Sequence, residues 1–424
     1  MRVLVVADGS RGDVQPMTVL AQQLQREGHA ITMAAPPSFR RFVEEKGLAF
    51  AALSFDSEAA IRANPQAAVG GFWATISAAP KIFVATIEAQ LEVLPELAKQ
   101  ADFILAGGIH GGVPTAAELA GVPWRWVLYT STMIPSNDHP PITAPFGRAP
   151  RWVNWILWQL TRWLTDRLFR VPVNKHRRRL GLPQISDAAE YMLCANPVLA
   201  MEPELAPLPD EWAHADVIGY LDPGEGEPLS EEIEAFLARG ETPVYIGFGS
   251  MPDLDPQKTT QMFVEATRRA GVRAVISRGW ADFGGEMPEH CLLVGPVSHP
   301  RMFARVSAIV HHGGAGTTAS STRAGKPQLV VPHIADQFYF GNRVKELGIA
   351  VPPVTRPKLT TELLTERLLA LKNDSAMRER AAALGEKIRA RPRPHDLSRL
   401  LVPPANDAPK ALPVRISIAP GAPP

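Results

Sequence analysis

IVHHGGAGTTASSTRAGKP, residues 309–327, is the stretch that decides the fold class of this chain. An apolar run ends at His311 and His312, and the glycine-rich turn 313–316 is followed by a polar, Ala-containing helical pattern. This order predicts a buried strand, a tight turn and a helix. The first backbone N–H groups of such a helix have no partner within the helix, and they bind anions together with the helix dipole. The stretch therefore predicts an anion site at the edge of an α/β sheet.

Strand and helix patterns alternate on both sides of this stretch. The second half restarts the alternation at PVYIGFGS (243–250). The strand patterns of the first half are VLVVA (3–7), HAITMAAP (29–36), LAFAAL (48–53), ADFILAGG (101–108) and WRWVLYTS (124–131). Such alternation is typical of parallel sheets that are covered by helices on both faces. We therefore expect an α/β fold with two open sheets.

The chain is long enough for two domains. At 424 residues it exceeds what one ordinary hydrophobic core covers, and two domains of about 200 residues each are expected. Hydrophobic residues make up 46% of the sequence and charged residues 21%, which is typical of globular proteins. Changes in composition indicate an N-terminal domain over 1–215, a linker over 216–242, a C-terminal domain over 243–391 and a Pro-rich, disordered tail over 392–424.

Charge and cysteine content exclude several classes of function. The formal net charge of +1 gives no reason to expect a nucleic acid partner. Cys194 and Cys291 lie far apart and indicate neither a disulfide framework nor a cysteine metal site. The N-terminal apolar run is too short for a signal peptide, and no apolar window approaches the roughly 18 residues that span a bilayer. These features favour a cytoplasmic protein.

The glycine turn resembles two other phosphate-binding motifs, and both fit less well. Gly314, Gly316 and Ala319 match the G-x-G-x-x-A pattern of dinucleotide sites. Asp336, however, falls at the start of the next helix pattern, where a ribose-binding carboxylate is not expected. A Walker A loop is excluded because no G-K-[ST] follows. A nicotinamide dinucleotide is thus the weaker alternative.

A nucleoside diphosphate that carries a sugar fits the turn better. His312 is placed to donate to a phosphate oxygen, beside the backbone N–H groups of residues 314–317. HIADQ (333–337) follows the next strand at the same sheet edge, where Asp336 and Gln337 are suited to bind sugar hydroxyls. The alternative is that the two adjacent histidines only satisfy buried backbone groups at a strand end.

The whole segment IVHHGGAGTT…RAGKPQLVVPHIADQFYFGNRV resembles the donor-binding segment of the GT-B glycosyltransferases of family 1. GSRGDVQP (9–16) resembles the opening loop of their bacterial antibiotic, macrolide and sterol glucosyltransferase members. GPVSHPRMFARV (295–306) is similar to the element that holds the nucleotide base. The resemblance implies two Rossmann-like domains that face each other across a cleft. The donor would lie on the C-terminal domain and the acceptor on the N-terminal one.

The resemblance also implies which residues bind the donor and what the donor is. The co-substrate would be a UDP-sugar or a dTDP-sugar, without any further cofactor. The implied donor-binding residues are Ser250, His312, Gly314, Gly316 and Thr317 at the diphosphate, Trp280 and Val297 at the base, and Asp336 and Gln337 at the sugar.

Transfer of a sugar to a hydroxyl needs a base, because a protonated alcohol is a poor nucleophile. In ADGSRGDVQP (7–16) Asp13 follows the first strand pattern, in a loop that we expect to face the cleft. Relatives with G-S-R-G-D are thought to use this aspartate, so the resemblance implies that Asp13 is the catalytic base. A carboxylate of ordinary pKa, near 4, is a weak base and would have to be desolvated. Alternatively Asp13 only N-caps a helix that begins at Val14, and His110 is then the next candidate.

DLD (253–255) imitates the metal-binding D-x-D motif of other glycosyltransferases. Asp255 followed by Pro256 is typical of an N-cap and the first residue of a helix, which is a sufficient explanation. A helix dipole together with His312 already neutralises a leaving diphosphate. We therefore expect no metal.

The N-terminal half contains a dense cluster of tryptophans. Residues 151–183 form an amphipathic helical pattern with basic residues from Arg162 to Arg179. The tryptophans are Trp152, Trp155, Trp158 and Trp163. Three roles are possible for this pattern: ordinary core packing, an apolar acceptor pocket lined by the first three tryptophans, or docking on an anionic membrane surface. The Pro-rich loop 129–147 directly before it is placed to shape the same pocket.

These features together predict an inverting, metal-independent glycosyltransferase. It would move a hexose from a nucleoside diphosphate to a hydroxyl of an apolar acceptor, and glucose is the first candidate for that hexose. Sterol-like lipids, polyketides and phenols fit that description, and peripheral contact with the inner face of the membrane is compatible with it. The alternatives are a non-catalytic sugar-nucleotide-binding activator and a nucleotide-sugar epimerase on the same fold. Asp13 together with His312 favours the enzyme, because a binding protein needs no base.

Overall fold

Two parallel β-sheets organise the protein. The structure, a computed structural model, describes residues 1–64, 72–193, 196–281, 283–392 and 396–402, with the backbone alone for residues 72–79. The strands of the first sheet are β1 (Arg2–Asp8), β2 (Ala30–Ala35), β3 (Ala49–Ala52), β4 (Phe103–Gly108), β5 (Trp124–Leu128), β6 (Val198–Leu199) and β7 (Asp216–Val217). Those of the second are β8 (Val244–Gly247), β9 (Ala274–Ser277), β10 (Cys291–Val294), β11 (Ile309–His311) and β12 (Gln328–Val330). The expected α/β class with two open parallel sheets is confirmed.

Helices alternate with the strands in both halves. Those of the first half are α1 (Arg11–Arg26), α2 (Arg40–Glu44), α3 (Ser57–Ala63), α4 (Phe72–Ala98), α5 (Val113–Ala120), α6 (Arg151–Arg179) and α7 (Ala188–Met192). Those of the second half are α8 (Glu231–Leu237), α9 (Pro256–Ala270), α10 (His299–Ala304), α11 (Ala315–Arg323), α12 (Gln337–Glu346), α13 (Thr361–Asn373) and α14 (Ser375–Ala390).

The strand order reverses beside one central strand in each sheet. The first sheet has the order β3-β2-β1-β4-β5-β6-β7, and the second has the order β10-β9-β8-β11-β12. The connections after β1 and β4 therefore run toward opposite edges of the first sheet, and those after β8 and β11 do so in the second. The loops at the carboxyl ends of these strands diverge, and in open α/β sheets ligands bind in the crevice between them. We therefore expect ligand-binding residues directly after β1 and β8.

The central strand β1 is buried on both faces. Val3 and Val5 pack in a core that contains α1, whereas Leu4 and Val6 pack in a core that contains α4 and α5. All four side chains are at most 2% exposed. A strand that is covered on both faces has a continuous apolar sequence, which is why VLVVA predicts a central parallel strand.

The end of the described chain returns to the N-terminal half. Glu27 accepts hydrogen bonds from the backbone N–H groups of Leu397 and Ser398 at 3.1 and 2.7 Å. The leucines that join the core around α1 are Leu397, Leu400 and Leu401. The expectation of a disordered tail from residue 392 is therefore wrong for residues 396–402, because their apolar side chains find a core. Residues 403–424 lie outside the described residues.

The expected linker 216–242 is divided between the two sheets. β7 at its start pairs with β6 of the first sheet. Ile233 and Phe236 of α8 pack in a core of the second half together with Phe303. The connection therefore lies between β7 and α8, and the domain limits given above remain a proposal.

Two further expectations concern membrane-spanning segments and the two cysteines. None of the helices in the described residues is long and apolar enough to cross a membrane. Cys291 is buried with a free thiol, whereas Cys194 lies outside the described residues. Burial raises the pKa of the Cys291 thiol, which lowers the fraction of the reactive thiolate form.

Candidate active site

Asp13 lies in the first turn of α1, directly after the central strand of the first sheet. The helix begins at Arg11 with Ser10 as its N-cap, so the expectation that Asp13 lies in a loop or caps a helix at Val14 is wrong. Ser10 and Asp13 form a capping box. The Oδ2 atom of Asp13 accepts from the backbone N–H of Ser10 at 2.8 Å and from its hydroxyl at 3.2 Å. Among the described residues no hydrogen bond reaches Oδ1, so one carboxylate oxygen is left for a ligand.

Two glycines make room for the Asp13 carboxylate. A Cβ atom at Gly9 would lie 2.4 Å from Oδ2, and one at Gly108 would lie 3.1 Å from Oδ1. Both glycines have positive φ, +135° and +68°, which larger residues rarely adopt. Gly9 directly follows β1 and Gly108 is the last residue of β4, so the carboxylate lies over the carboxyl edge of the first sheet. Tyr129 holds the same turn by donating to the Asp13 carbonyl at 3.0 Å.

Burial changes the acid–base properties of Asp13. It raises the pKa of this carboxyl to about 6, although the hydrogen bonds from Ser10 act in the opposite direction. A carboxylate of that pKa binds a proton more readily than an ordinary one and is still ionised near neutral pH. The desolvation that the sequence argument required is therefore present.

Asp8 is a buried carboxyl beside the half-buried Asp13, and the sequence argument missed it. Its Oδ1 accepts from the Ser57 hydroxyl at 2.6 Å and its Oδ2 from the Gln90 amide at 2.9 Å. Burial, reinforced by the charge of Asp13, raises the pKa of Asp8 to about 7. The sequence does contain a signal for this carboxyl, since Asp8 is an acidic residue directly after an apolar strand pattern. Its partners come from α3 and α4, 49 and 82 residues away along the chain.

The glycine turn of the second sheet provides an uncapped helix N-terminus. α11 begins after Gly314, and no side chain caps its first N–H groups. Gly316 and Thr317 lie in its first turn and are half-buried. A Cβ atom at Gly314 would lie 2.5 Å from Nε2 of His312, so this close approach requires glycine. The free N–H groups and the helix dipole together suit a phosphate.

The two adjacent histidines have different environments. His311 is fully buried; its Nε2 lies 2.9 Å from the Gln328 side-chain oxygen, and its Nδ1 accepts from the backbone N–H of Gly313 at 3.1 Å. For His311 the alternative given above is therefore correct: its ring satisfies buried polar groups at the end of the strand. His312 instead has a buried Nδ1 without a partner in the described part of the chain. An unpaired buried nitrogen beside an uncapped helix N-terminus can form a hydrogen bond with a bound ligand.

His312 is a neutral side chain at physiological pH. Burial lowers its pKa well below the ordinary value, and the neighbouring His311 and His333 add to the effect. A neutral imidazole still donates one N–H to a phosphate oxygen. Because the neutral ring carries no positive charge, the electrostatic attraction for a phosphate comes from the positive end of the α11 dipole.

Asp336 is the carboxyl that follows the last strand of the second sheet. It directly precedes α12, after Ala335, whose φ of 53° is unusual for a residue other than glycine. Burial raises the pKa of Asp336 to about 7, and the charge of Asp13 contributes to the rise. The two carboxyls are therefore close enough to interact, although one belongs to each half of the protein.

Gln337 has fewer free groups than the sequence argument assumed. It is 4% exposed, and its side-chain oxygen accepts from the backbone N–H groups of His333 and Ile334 at 2.8 and 3.1 Å. Its amide nitrogen lies 3.3 Å from the sulfur of Met251. The oxygen thus shapes the loop before α12, and contact with a sugar, which stays a prediction, would use an amide N–H.

The predicted donor residues follow the strands of the second sheet one after another. They are Ser250 after β8, Trp280 after β9, Val297 after β10, His312 after β11 and Asp336 after β12. Because these strands are parallel, all five positions lie along one edge. The backbone N–H of Trp280 donates to the Gly249 carbonyl at 2.9 Å, and the Arg62 guanidinium of the first half lies 5.8 Å from the centre of the Trp280 ring.

The carboxylates of the DLD stretch have protein partners. Asp255 is the N-cap of α9 and accepts from the Lys258 backbone N–H at 3.1 Å, with Pro256 as the first helical residue. Asp253 pairs with the Arg356 guanidinium at 2.7 Å and accepts from the Thr259 hydroxyl at 3.1 Å. The described residues contain no group of three or more His, Cys, Asp or Glu side chains suited to a metal ion. Metal independence stays a prediction.

The tryptophans of α6 divide into two groups. Trp152 and Trp155 are 68% and 36% exposed, so core packing is wrong for both. Trp158 is half-buried, and its indole N–H donates to the His139 carbonyl at 3.0 Å. The His139 ring lies 6.1 Å from that of Trp158 and 6.4 Å from that of Tyr339 in α12. The loop that carries His139 therefore lies between α6 and the second half, and the acceptor role of the three tryptophans stays a prediction.

His110, the second candidate for the base, is occupied. Its Nδ1 lies 3.2 Å from the Gly108 carbonyl and its Nε2 lies 2.8 Å from the Met192 carbonyl. The ring is buried and lies 4.2 Å from the Trp126 ring. With both nitrogens directed at carbonyl oxygens, His110 is poorly placed to accept a proton from a substrate.

Two family models match the chain, one in each half. Residues 3–124 match the glycosyltransferase family 28 N-terminal domain, and residues 274–403 match the erythromycin biosynthesis protein CIII-like C-terminal domain. Glycosyltransferase GtfE of Amycolatopsis orientalis is 35% identical over 397 residues, which cover 90% of this chain and 93% of that protein. The vancomycin aglycone glucosyltransferase of the same organism is 33% identical, with 83% and 85% covered.

Similarity extends to a plant protein and to solved structures. Sterol 3-beta-glucosyltransferase UGT80B1 of Arabidopsis thaliana is 34% identical over 87% of this chain and 62% of its own length. The glycosyltransferase VinC, solved in complex with dTDP, superposes with a TM-score of 0.67 at 20% identity, covering 92% of this chain and 96% of VinC. Spinosyn forosaminyltransferase SpnP gives a TM-score of 0.68 at 16% identity, covering 95% and 99%. At such identities the structures support the fold alone.

Proposed function

We propose a specific reaction for this chain, which belongs to the GT-B glycosyltransferases of family 1. It transfers a hexose, glucose in the first place, from a UDP-sugar or dTDP-sugar to a hydroxyl of an apolar acceptor, and it inverts the anomeric carbon. The observation that carries the proposal is the packing of Ala315, the first residue of α11, against the core around α1. This contact places the uncapped N-terminus of α11 beside the helix whose first turn carries Asp13.

The donor diphosphate would lie at the N-terminus of α11. The free N–H groups of that helix and the unpaired Nδ1 of His312 supply donors on one side of the proposed site. Charge that builds up on the departing diphosphate is stabilised by these fixed dipoles, which need no rearrangement during the reaction. The same groups would therefore bind the donor and promote departure of the leaving group.

The sugar would lie between the two carboxyls. Asp336 accepts hydrogen bonds from sugar hydroxyls on the donor side, and Asp13 accepts the proton of the attacking hydroxyl on the acceptor side. A single displacement forms the new C–O bond as the C–O bond to the diphosphate breaks. The attacking oxygen loses its proton to Asp13, and the anomeric configuration inverts.

The acceptor would enter from the side of α6. The loop with His139 packs between Trp158 and Tyr339, and the residues that follow His139, 140–147, are apolar or small. The names of the relatives include a sterol and a glycopeptide aglycone as acceptors. An apolar, polycyclic or macrocyclic hydroxyl compound is the acceptor class that these observations favour.

The competing functions fit less well. An epimerase and a non-catalytic activator remain possible for a sugar-nucleotide site in general, but the named relatives transfer sugars. A purely binding protein also gains nothing from a carboxyl of raised pKa such as that of Asp13. No step of the proposed reaction requires a metal ion.

The test is incubation of the purified protein with UDP-glucose or dTDP-glucose and a panel of sterols, macrolides, polyketides and phenols. Release of the nucleoside diphosphate in step with a glucosylated product supports the proposal. A protein that binds the nucleotide but transfers no sugar to any class, or that epimerises the donor without an acceptor, overturns it.

A further inference from the structure

Helix α6 exposes a continuous apolar face to solvent. Between residues 152 and 164 six of its large apolar side chains are exposed, by 36% to 68% of their surface. They are Trp152, Trp155, Ile156, Leu160, Trp163 and Leu164, called the docking face below. Their spacing of three or four residues places them along one side of the helix over about 18 Å.

The C-terminal half of α6, together with Asn154, anchors the helix in the protein. Phe169 and Val173 pack with Ile87 and Leu91 of α4. The Asn154 side chain is 1% exposed and donates to the Asn137 carbonyl at 2.9 Å. The orientation of the helix is therefore fixed, and the exposure of the docking face is not the result of a loosely attached helix.

Exposure of so much contiguous apolar surface is unfavourable in water and marks an interaction surface. Tryptophan is the side chain that bilayer interfaces favour, because its large ring is apolar and its N–H is polar. Two exposed tryptophans lie at the ends of the docking face, Trp152 and Trp163, and Trp155 lies between them.

Basic residues follow the docking face along the same helix. The exposed positions after Leu164 are Arg167, Arg170, Val171, Lys175, Arg178 and Arg179. Arg170 pairs with Asp166 at 3.5 Å, and Lys175 pairs with Glu88 at 3.7 Å. The remaining arginines have no acidic partner in the described parts of the chain. No acidic residue is exposed on α6.

We propose that α6 lies on an anionic lipid surface, with the docking face in the interfacial layer and the free arginines against lipid phosphates. An amphipathic helix with tryptophan and leucine on one side and basic residues nearby is suited to this position. A second copy of the chain is the less suitable occupant. An isologous contact would bring two basic segments together without any exposed acidic residue on α6 to pair with them.

Docking in this orientation would also help the proposed enzyme to obtain its acceptor for sugar transfer. Both the Asn154 amide and the Trp158 indole hold the loop that carries His139, so the proposed acceptor entrance lies next to the docking face. An apolar acceptor dissolved in the bilayer would then reach the cleft without crossing water. This consequence rests on the proposed function, whereas the docking itself does not.

The experiment is co-sedimentation of the full-length protein with vesicles of phosphatidylcholine, alone or mixed with an equal part of phosphatidylglycerol. We expect sedimentation with the anionic vesicles and its partial reversal by salt. The variant Leu160→Glu/Trp163→Glu should lose at least about tenfold in partitioning. Its control, Leu254→Glu/Leu369→Glu, replaces two exposed apolar residues elsewhere and should sediment like the unaltered protein.

A second pair of variants tests the charges. Arg167→Gln/Arg178→Gln should lower partitioning about tenfold or more, since each basic residue at an anionic surface contributes about a fivefold factor. Lys345→Gln/Lys358→Gln removes two exposed charges from the second half and should change partitioning little.

Nucleotide affinity and circular dichroism, measured on every variant, verify that the fold is intact and are independent of transfer activity. The proposal is overturned if the unaltered protein does not sediment with anionic vesicles. It is also overturned if the docking-face variant sediments with them as the unaltered protein does. A dimer that the docking-face variant converts to monomers, without any vesicle binding, would assign the face to a second copy instead.

Discussion

Replacement of Asp13 by asparagine separates a catalytic role from a structural one. The asparagine oxygen still accepts the hydrogen bond that Asp13 takes from the Ser10 backbone N–H at 2.8 Å, so the start of α1 should persist. An amide cannot take a proton from the acceptor hydroxyl. We expect kcat to fall by a factor on the order of a hundred to ten thousand, and donor affinity to change little because the diphosphate site lies in the other half.

The same substitution should stabilise the fold near neutral pH. The unfolded carboxyl has an ordinary pKa near 4, whereas the folded one has a pKa of about 6. The unfolded state therefore releases its proton first as pH rises, and the folded state carries an increasing cost between about pH 4 and 6. Asparagine avoids this cost. A difference of about two pKa units corresponds to about 2.7 kcal/mol, which solvent screening of the half-buried carboxyl reduces, so Asp13→Asn should raise the free energy of unfolding above pH 6 by about 1–2 kcal/mol.

The assays are acceptor-saturated turnover, donor titration and thermal unfolding on the same preparation. In the unaltered protein kcat should decrease as pH falls through about 6, because Asp13 becomes protonated. Asp255→Asn, a substitution at the N-cap of α9, is the matched control and should leave both turnover and Tm nearly unchanged. Near-normal turnover in Asp13→Asn would refute the assignment and return Asp13 to the capping box alone.

The remaining predictions concern the donor side and the metal. His312→Ala should cost about 2–4 kcal/mol in transition-state stabilisation, seen as lower kcat with an unchanged Tm; full activity would contradict the diphosphate role. His311→Ala should instead lower unfolding stability by about 2–4 kcal/mol, since buried groups lose their partners, and an unchanged Tm would count against this. Gly9→Ala should reduce kcat strongly, because its Cβ would lie 2.4 Å from the Asp13 carboxylate; normal kcat would show that the turn can adapt. Transfer should persist in EDTA, and Asp253→Ala should lower Tm through the loss of its Arg356 pair more than it lowers kcat; activity lost to EDTA and restored by manganese would overturn metal independence.

Much of the donor edge could be predicted from the sequence, for a simple geometric reason. Parallel strands end at the same edge, so the residues that follow apolar runs converge even when they are far apart in sequence. Ser250, His312 and Asp336 were identifiable in this way. The glycine turn added the position of a helix N-terminus, since few other residues permit such close approach.

Features that depend on contacts between distant segments could not be predicted. The Asp8 carboxyl gains its environment from Ser57 and Gln90, which no local pattern connects to it. The periodicity of α6 shows that one side is apolar but not whether that side faces the core. Here the exposed fraction of Trp163, 58%, decides against the core.

The stereochemistry of the product tests the central claim most directly. Transfer from the α-linked donor UDP-glucose or dTDP-glucose, followed by proton NMR from the first turnover onward, reports the configuration of the new glycosidic bond. Single displacement with Asp13 as the base predicts a β-glucoside as the initial product. An α-glucoside would contradict the account, because retention requires either a covalent intermediate, for which Asp336 is the nearby carboxyl, or attack from the side of the leaving diphosphate.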